Sequence, residues 1–258
     1  MSTPEVPPVG GEVLYESSTS RVVWGDCRDT EVIRSVPDRY GLLCVDPPYG
    51  VAYDSGRSTT FTEIEGDDGS VDWASVLAEW VGPDGTQSRG LADARHVYVF
   101  GYRPDELQGP LRLGGSAELI WDKQKTGMGN LVHPWGPAHE PITFGVHVKR
   151  PSDRAKGGGR LSARLRRGSV LSYPRPNGGS AVRHPNEKPV PLMAELIESS
   201  TVRGDLVVDP CAGSGSTLVA AVLLGRRAWG VEIDRANAVQ TAERVQAAEA
   251  VAASQMTC

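Results

Sequence analysis

The chain alternates short apolar runs with polar and glycine-rich stretches. Seven of the apolar runs have the length of a strand, at residues 21–24, 40–45, 96–100, 117–121, 141–148, 205–209 and 228–233. Several of them are apolar without alternation, which is typical of strands that are buried on both faces of a sheet. The pattern therefore predicts about seven strands in a sheet that is covered on both sides.

Segments with the spacing of amphipathic helices lie between the strands. Helices are predicted at residues 72–81, 189–200, 216–224 and 236–253. Asp26 is a candidate cap for a further short helix that begins near residue 29. Strands that alternate with helices favour a mainly parallel, doubly wound α/β sheet.

Composition narrows the class of protein. With 258 residues, of which 39% are hydrophobic and 23% charged, the chain suits one soluble globular domain at residues 21–258 after a loose amino-terminal tail at residues 1–20. No apolar run approaches the roughly 18 residues of a membrane span, and the four cysteines show no CxxC spacing. We therefore expect no membrane association, no metal site and a reduced, cytoplasmic setting.

Two prolines directly follow the strand at 40–45, in the sequence Asp46-Pro47-Pro48-Tyr49. Proline ends a strand, and open α/β sheets carry their active sites at the carboxyl ends of strands. The loop offers a carboxylate, a carbonyl group and an aromatic ring, a set that could hold an amino group and stack on a planar base. A strand that ends in an ordinary proline turn is the alternative interpretation of these four residues.

A glycine-rich turn joins the strand at 205–209 to the helix at 216–224. Its sequence, Asp209-Pro210-Cys211-Ala212-Gly213-Ser214-Gly215, lets a ligand approach the backbone and the free N–H groups of the helix. Glu232 follows 23 residues after Asp209, near the spacing at which an acid holds ribose hydroxyls. A nicotinamide site would need a third glycine where Leu218 stands, and a phosphate loop would need a Gly-Lys pair. S-adenosylmethionine remains as the ligand, and a turn that serves packing alone remains as the alternative.

A third motif, His184-Pro185-Asn186-Glu187-Lys188-Pro189, precedes the helix at 189–200. Together with the Asp46 and Asp209 motifs, in this order, it resembles the β-class amino-methyltransferases of DNA. Weaker similarities at residues 25–27, 120–123, 139–142 and 230–234 extend the likeness from about residue 21 to residue 246. Cys211 stands where the family usually has phenylalanine, and Asn186-Glu187 replaces the more frequent Thr-Gln. Neither departure removes a group that the chemistry needs.

The resemblance implies a Rossmann-like methyltransferase sheet with a circularly permuted motif order. It also implies methyl transfer from S-adenosylmethionine to the exocyclic amino group of a flipped DNA base, with adenine N6 as the first choice. Asp46 and the Pro47 carbonyl would accept the two amino hydrogen bonds, and Tyr49, after Pro48, would stack on the base. The resemblance assigns the cofactor to nine residues: Asp26, His184, Lys188, Asp209, Ala212, Gly213, Ser214, Gly215 and Glu232. Cytosine N4 is the alternative target, followed by RNA or protein methylation and by a DNA-binding relative without activity.

Positive charge is concentrated in one stretch, although the formal net charge of the chain is −5. Residues 149–167 have a net charge of +7, from one acid and eight basic residues: Lys149, Arg150, Arg154, Lys156, Arg160, Arg164, Arg166 and Arg167. A basic run is usually a solvated surface. Here it lies where the family has its target-recognition region, so we expect a small insertion at about 149–183 that contacts DNA. A homodimer and a cognate restriction endonuclease are partners that the sequence leaves open.

Overall fold

Nine strands form one sheet in the computed structural model, which describes residues 5–37, 39–48, 69–82, 89–124, 135–149, 167–176 and 187–256. The strands are β1 (Glu12–Glu16), β2 (Ser20–Trp24), β3 (Tyr40–Val45), β4 (Leu91–Phe100), β5 (Leu113–Asp122), β6 (His139–His147), β7 (Val170–Ser172), β8 (Leu206–Asp209) and β9 (Arg227–Glu232). The seven strands predicted from the apolar runs are confirmed, while β1 and β7 are additional.

Six helices are present among the described residues: α1 (Thr30–Ser35), α2 (Trp73–Val81), α3 (Pro104–Leu107), α4 (Val190–Ser200), α5 (Ser216–Leu223) and α6 (Arg235–Met256). The cap of α1 is Asp29, whose carboxylate accepts a hydrogen bond of 2.8 Å from the backbone N–H of Glu31. The prediction that Asp26 caps this helix is therefore wrong. Asp26 instead accepts hydrogen bonds from the backbone and guanidinium of Arg28.

The sheet is mainly parallel, as predicted. Its strand order is β1-β2-β9-β8-β3-β4-β6-β5-β7, and the five central neighbours from β2 to β4 all run in parallel. β6 is antiparallel to both β4 and β5, so the end of β5 and the start of β6 lie at the same edge as the end of β4. Seven strands therefore contribute residues to the edge where the carboxyl ends of the parallel strands meet: β2, β9, β8, β3, β4 and β5 by their ends, and β6 by its start.

Helices cover both faces of the sheet, and the alternation along β3 shows why its sequence is continuously apolar. Leu42 and Cys44 pack into a core cluster with residues of α4, α5 and α6. Leu43 and Val45 pack on the opposite face with residues of α1 and α2. All six residues of β3 are buried, which fixes the position of the residue that follows it.

The expectation of a loose tail at residues 1–20 is wrong for its second half, because β1 pairs with β2 in antiparallel register. The carboxylate of Glu249 on α6 holds this hairpin by accepting hydrogen bonds from the hydroxyls of Tyr15 (2.8 Å), Ser17 (2.7 Å) and Thr19 (2.6 Å). This anchor of the hairpin, Glu249, lies more than 200 residues away in the chain, so local sequence patterns do not reveal it.

The stretch at about 149–183, for which we expected a small insertion, contains β7, which pairs in parallel with β5; that it is a DNA-contacting insertion stays a prediction. The described parts of this stretch are residues 149, 167–176; residues 150–166 and 177–183 lie outside the described residues. Across the described part of the chain, no helix combines the length and the apolar character that a bilayer crossing requires.

Candidate active site

Three carboxylates follow three neighbouring strands at one edge of the sheet. Asp46 comes directly after β3, while Asp209 and Glu232 are the last residues of β8 and β9. From β8 the chain continues through α5 to β9 on one side, and β3 is followed by β4 on the other side. The crevice between β8 and β3 is therefore the point at which the strand order reverses, where open α/β sheets bind ligands.

Asp46 presents two unlike oxygen atoms. Its Oδ2 accepts a hydrogen bond from the Lys188 ammonium at 2.6 Å. Its Oδ1 is buried, and within the described residues it has no hydrogen-bond partner. A buried acceptor without a donor costs roughly 1–3 kcal/mol of desolvation that a bound donor would recover. Asp46 is thus suited to hold an N–H or O–H group of a ligand.

The pKa of Asp46 reflects both its burial and its charged neighbours. Burial raises this pKa to about 6, the charge of Lys188 counteracts the rise, and the charge of Glu140 adds to it. A carboxyl group with a pKa near 6 is largely ionised at neutral pH, yet it can accept a proton during a reaction.

Lys188 belongs to a buried chain of alternating charges. Besides Asp46, its ammonium contacts Glu140 Oε1 at 3.0 Å, and Glu140 Oε2 contacts the ammonium of Lys123 at 3.1 Å. Burial alone would raise the pKa of Glu140, but the two lysines hold it below its usual value. With both acids and both lysines ionised, this chain of four side chains carries no net charge.

Aromatic rings enclose the two ammonium groups. The Lys188 nitrogen lies 5.1 Å from the centre of the Phe100 ring and 5.7 Å from that of Trp121, and Lys123 lies 5.1 Å from Trp121. Cations within about 6 Å of an aromatic ring are stabilised by its electrons, more so when they are shielded from water. The indole of Trp121 is fixed in turn by donating to the Tyr173 carbonyl at 2.8 Å.

The glycine-rich turn forms the other side of the crevice. Gly215 has a φ of +82°, and a Cβ atom there would lie 2.8 Å from Thr241, so the position requires glycine. Gly213 has a φ of +52°, and a Cβ atom there would meet no described atom within 4 Å. The turn therefore combines a closely packed glycine with one whose open side a ligand can approach.

Glu232 and Asp209 are the buried acidic residues on the side of the crevice formed by the glycine-rich turn. The Glu232 carboxylate accepts from the backbone N–H groups of Gly213 (2.7 Å) and Asp234 (2.9 Å), and Asp209 accepts from that of Cys211 (3.1 Å). Burial raises the pKa of each acid to about 7, and the charges of Asp46 and Glu232 add to the rise at Asp209. Such a site favours a ligand with hydroxyl donors and positive charge, which relieves the crowding of buried acids.

The remaining assigned cofactor residues lie around this turn. Ala212 and Ser214 are buried, and the Ala212 N–H donates to the Val231 carbonyl at 2.8 Å. Asp26, two residues after β2, forms an ion pair with Arg28 at 2.7 Å. The described contacts of Lys188 go to Asp46 and Glu140, so its assignment to the cofactor stays a prediction.

Several predicted site residues lie outside the described residues, namely Tyr49, Arg150, Arg154, Lys156, Arg160, Arg164, Arg166 and His184. Of the predicted DNA contacts, Lys149 follows β6 at the edge opposite to Asp46, so the fold does not bring it to the site. Arg167 is half exposed and lies 3.5 Å from Glu195. The structure does bring together Asp46, Pro47 and Pro48 with the glycine-rich turn.

Sequence reasoning missed Glu140, Lys123 and Trp121 as members of the site, although their segments were noted as similar to the family. The signal lies in the register of the β5–β6 hairpin, in which Trp121 pairs with Glu140. Lys123 follows two residues after Trp121 and so shares its face. Within the described residues, no group of three acidic, histidine or cysteine side chains is arranged to hold a metal ion.

The sequence of the chain is similar to those of known DNA methylases. A family model described as DNA methylase matches residues 116–243. YubD of Escherichia coli strain K12, which is named as a methylase, is 31% identical over 221 residues, covering 83% of this chain and 85% of the relative. The DNA adenine methyltransferase YhdJ of the same organism is 23% identical over 250 residues, covering 85% of this chain and 80% of the relative.

Two solved structures share the fold. The PvuII DNA methyltransferase, described as cytosine-N4-specific, superposes with a TM-score of 0.64 at 15% identity and covers 95% of both chains. The complex of M1.HpyAVI with SAM superposes with a TM-score of 0.57 at 19% identity, covering 83% of this chain and 94% of that one. At these identities the likeness shows the methyltransferase sheet.

Proposed function

Because the chain belongs to the DNA methylase family of N6-adenine and N4-cytosine amino-methyltransferases, we propose that it methylates adenine N6 in DNA with S-adenosylmethionine as the methyl donor. The observation that carries the proposal is Asp46 Oδ1, a buried acceptor without a donor among the described residues, at the switch point of the sheet. An exocyclic amino group supplies the donor that this oxygen lacks.

Asp46 and Pro47 act on the exocyclic amino group of the base. Its nitrogen is a poor nucleophile because the lone pair is delocalised into the ring. Asp46 accepts one amino hydrogen bond and the Pro47 carbonyl accepts the other, which draws the nitrogen toward tetrahedral geometry and frees the lone pair. Positioning and electrostatics then supply most of the rate enhancement.

Asp46 also stabilises the positive charge that the reaction creates on the amino nitrogen. As the nitrogen gains a fourth bond it becomes cationic, and it must lose one proton to give the neutral methylated base. The ionised carboxylate stabilises this cation and accepts the proton, for which a pKa of about 6 is suitable. Tyr49 stacks on the base, which must leave the duplex to reach the site.

The methyl donor would be held on the opposite side of the crevice. When bound, S-adenosylmethionine supplies a methyl group from its sulfonium and leaves as the neutral thioether. Glu232 would accept hydrogen bonds from the ribose, and the open side of Gly213 and the N–H groups at the start of α5 would contact the rest. The raised pKa values of Asp209 and Glu232 fit a ligand that carries positive charge.

Two observations bear on the choice of base. The similarity to a relative named as an adenine methyltransferase extends over 85% of this chain, and the residue at position 46 is aspartate, which by family resemblance leans toward adenine. Cytosine N4 is the alternative, supported by the fold shared with a cytosine-N4-specific enzyme. The same carboxylate chemistry serves both amino groups.

DNA would be held in part by the basic stretch at residues 149–167. Its arginines would contact phosphates next to the flipped base and contribute to the recognition of sequence. A homodimer and a cognate restriction endonuclease stay predictions from the sequence.

The proposal is tested by incubating DNA of varied sequence with the protein and methyl-deuterated S-adenosylmethionine, followed by digestion to nucleosides and mass spectrometry. We expect deuterated N6-methyladenine from the wild type and none from Asp46→Ala. Deuterated N4-methylcytosine would support the same mechanism but identify cytosine as the target base. If neither base is labelled while the protein binds S-adenosylmethionine, DNA is not the substrate. RNA and protein are then the substrates to test next. If the protein does not bind S-adenosylmethionine at all, the chain is a DNA-binding relative without activity.

A further inference from the structure

Lys188 is in direct contact with the carboxylate to which the proposed reaction gives the central role. The 2.6 Å contact joins its ammonium to Asp46 Oδ2, and the lysine side chain is only 9% exposed. Lys188 precedes Pro189, which is buried and caps the start of α4, so the backbone that carries the lysine is fixed by the core. The ammonium therefore has one well-defined location relative to β3.

Glu140 and Lys123 also hold the Lys188 ammonium in place. Glu140, with 7% of its side chain exposed, forms an ion pair with Lys188 at 3.0 Å through Oε1 and with Lys123 at 3.1 Å through Oε2. Because Glu140 lies on β6 and Lys123 directly after β5, two strands of the sheet position the ammonium. Phe100 and Trp121 line the same space with their rings.

This arrangement distinguishes the two oxygen atoms of Asp46. A carboxylate that is bound at Oδ2 has lost rotation about its Cβ–Cγ bond, so the location of Oδ1 is fixed as well. Within the described residues Oδ1 has no donor, whereas Oδ2 does. The asymmetry leaves one oxygen for the ligand and uses the other for orientation.

We propose that Lys188 is a positioning residue for Asp46, which it orients through Oδ2 and keeps ionised, so that Oδ1 receives the amino group of the base. Glu140 opposes part of this effect and holds the lysine in place. The inference rests on the proposed function, since it concerns the carboxylate that binds the target amino group.

The charged surroundings of Asp46 give the inference a distinctive signature. Burial raises the pKa of Asp46, the charges of Lys188 and Lys123 lower it, and the charge of Glu140 raises it. Asp209 lies close enough for the charge of Asp46 to raise its own pKa, and the Cys44 thiol, whose pKa burial raises well above its usual value, stays neutral. Removing Lys188 and removing Glu140 should therefore shift the titration of Asp46 in opposite directions.

The test is the pH dependence of kcat for methyl transfer, with the full chain at saturating DNA and S-adenosylmethionine. We expect Lys188→Met to move the acid limb of the profile to higher pH by roughly 1–3 units and Glu140→Gln to move it to lower pH by roughly half to one unit. Lys188→Arg should restore most of the wild-type profile, because it keeps the charge. The KM for DNA should change much less than kcat at pH 7.

Arg95→Met is the matched control. It removes an ion pair of 3.2 Å to Asp205, which precedes β8 at the opposite edge of the sheet. We expect the acid limb of this variant to coincide with that of the wild type. If Lys188→Met and Glu140→Gln shift the limb in the same direction, or if both leave it in place, Lys188 does not position Asp46. If Lys188→Met does not fold, the shift of the acid limb in Glu140→Gln still tests the proposal.

The same titrations can be followed without catalysis by ¹³C NMR of the Asp46 carboxyl carbon, assigned with Asp46→Asn. Opposite shifts in an enzyme that methylates no DNA would support the role of Lys188 and refute the proposed function. Methylation of DNA without these shifts would leave the proposed function intact and overturn the role of Lys188.

Discussion

Asp209 is buried at the end of β8 with 3% of its surface exposed. We expect its ionisation to destabilise the ligand-free protein as the pH rises from about 4 to about 7. Burial raises the pKa of this carboxyl from 3.8 to about 7. Because the folded chain keeps the proton to higher pH than the unfolded chain, unfolding releases a proton between about pH 4 and pH 7. Raising the pH through this window therefore favours unfolding, and Asp209→Asn removes the effect because an amide does not ionise.

The size of the effect follows from the shift in pKa. One pKa unit corresponds to about 1.4 kcal/mol, so at pH 8 the buried charge costs about 4 kcal/mol relative to the unfolded chain. At pH 5 the folded carboxyl is neutral, and the cost is roughly 2 kcal/mol, which is the free energy of protonating a group with an ordinary pKa. Asn retains an oxygen for the Cys211 N–H. We therefore expect the stability of Asp209→Asn relative to the wild type to increase by roughly 2–3 kcal/mol from pH 5 to pH 8.

The assay is thermal unfolding of both proteins without ligand, from pH 5 to pH 8.5. At roughly 2–4 °C per kcal/mol for a chain of this size, the Tm difference should widen by about 5–10 °C toward alkaline pH. Asp105→Asn, at an exposed position on α3, is the control for the exchange of a carboxylate for an amide, and we expect its Tm to stay close to that of the wild type. A Tm difference for Asp209→Asn that is constant over this range would refute the reasoning.

Three further outcomes test other parts of the structure. Gly215→Ala should cost about 1–3 kcal/mol in chemical denaturation and exceed Gly213→Ala, because only the former adds a clash at 2.8 Å to the left-handed backbone; equal costs would contradict this. Neutralising Arg164, Arg166 and Arg167 together should reduce the slope of log K for DNA against log salt by about 3, and an unchanged slope would exclude them from phosphate contact. Glu249→Ala should increase hydrogen exchange in β1 while methyl transfer stays at the wild-type rate; unchanged exchange would show that the anchor is dispensable.

The fold could be predicted from the sequence wherever burial on both faces produced an unbroken apolar run. β3 is the clearest example, since all six of its residues are buried and its predicted bounds, 40–45, are those in the structure. β1 escaped prediction because half-exposed strands lack such a run and because its anchor, Glu249, lies on the last helix. β7 has only three residues, too few for any period to be recognised.

The candidate site was predictable in its backbone features and less so in its side-chain contacts. Asp46, Asp209 and Glu232 were identified because each ends a strand, and strand ends gather at one edge. The contact of Lys188 with Asp46 was not foreseen, because it joins two motifs that are 142 residues apart. Glu140 was overlooked as well, since its role depends on a hairpin register that the sequence alone does not give.

Asp46 is the residue on which the proposed methyl transfer depends most, and one comparison tests that dependence directly. It is the single-turnover rate of methyl transfer to DNA by the wild type and by Asp46→Asn, each saturated with S-adenosylmethionine, with cofactor affinity measured in parallel by calorimetry. We predict that the variant is slower by about 100- to 1,000-fold, the usual loss for one electrostatic contact to a transition state, while its Kd for the cofactor stays within about threefold. A variant that transfers methyl groups at the wild-type rate would contradict the central role of Asp46.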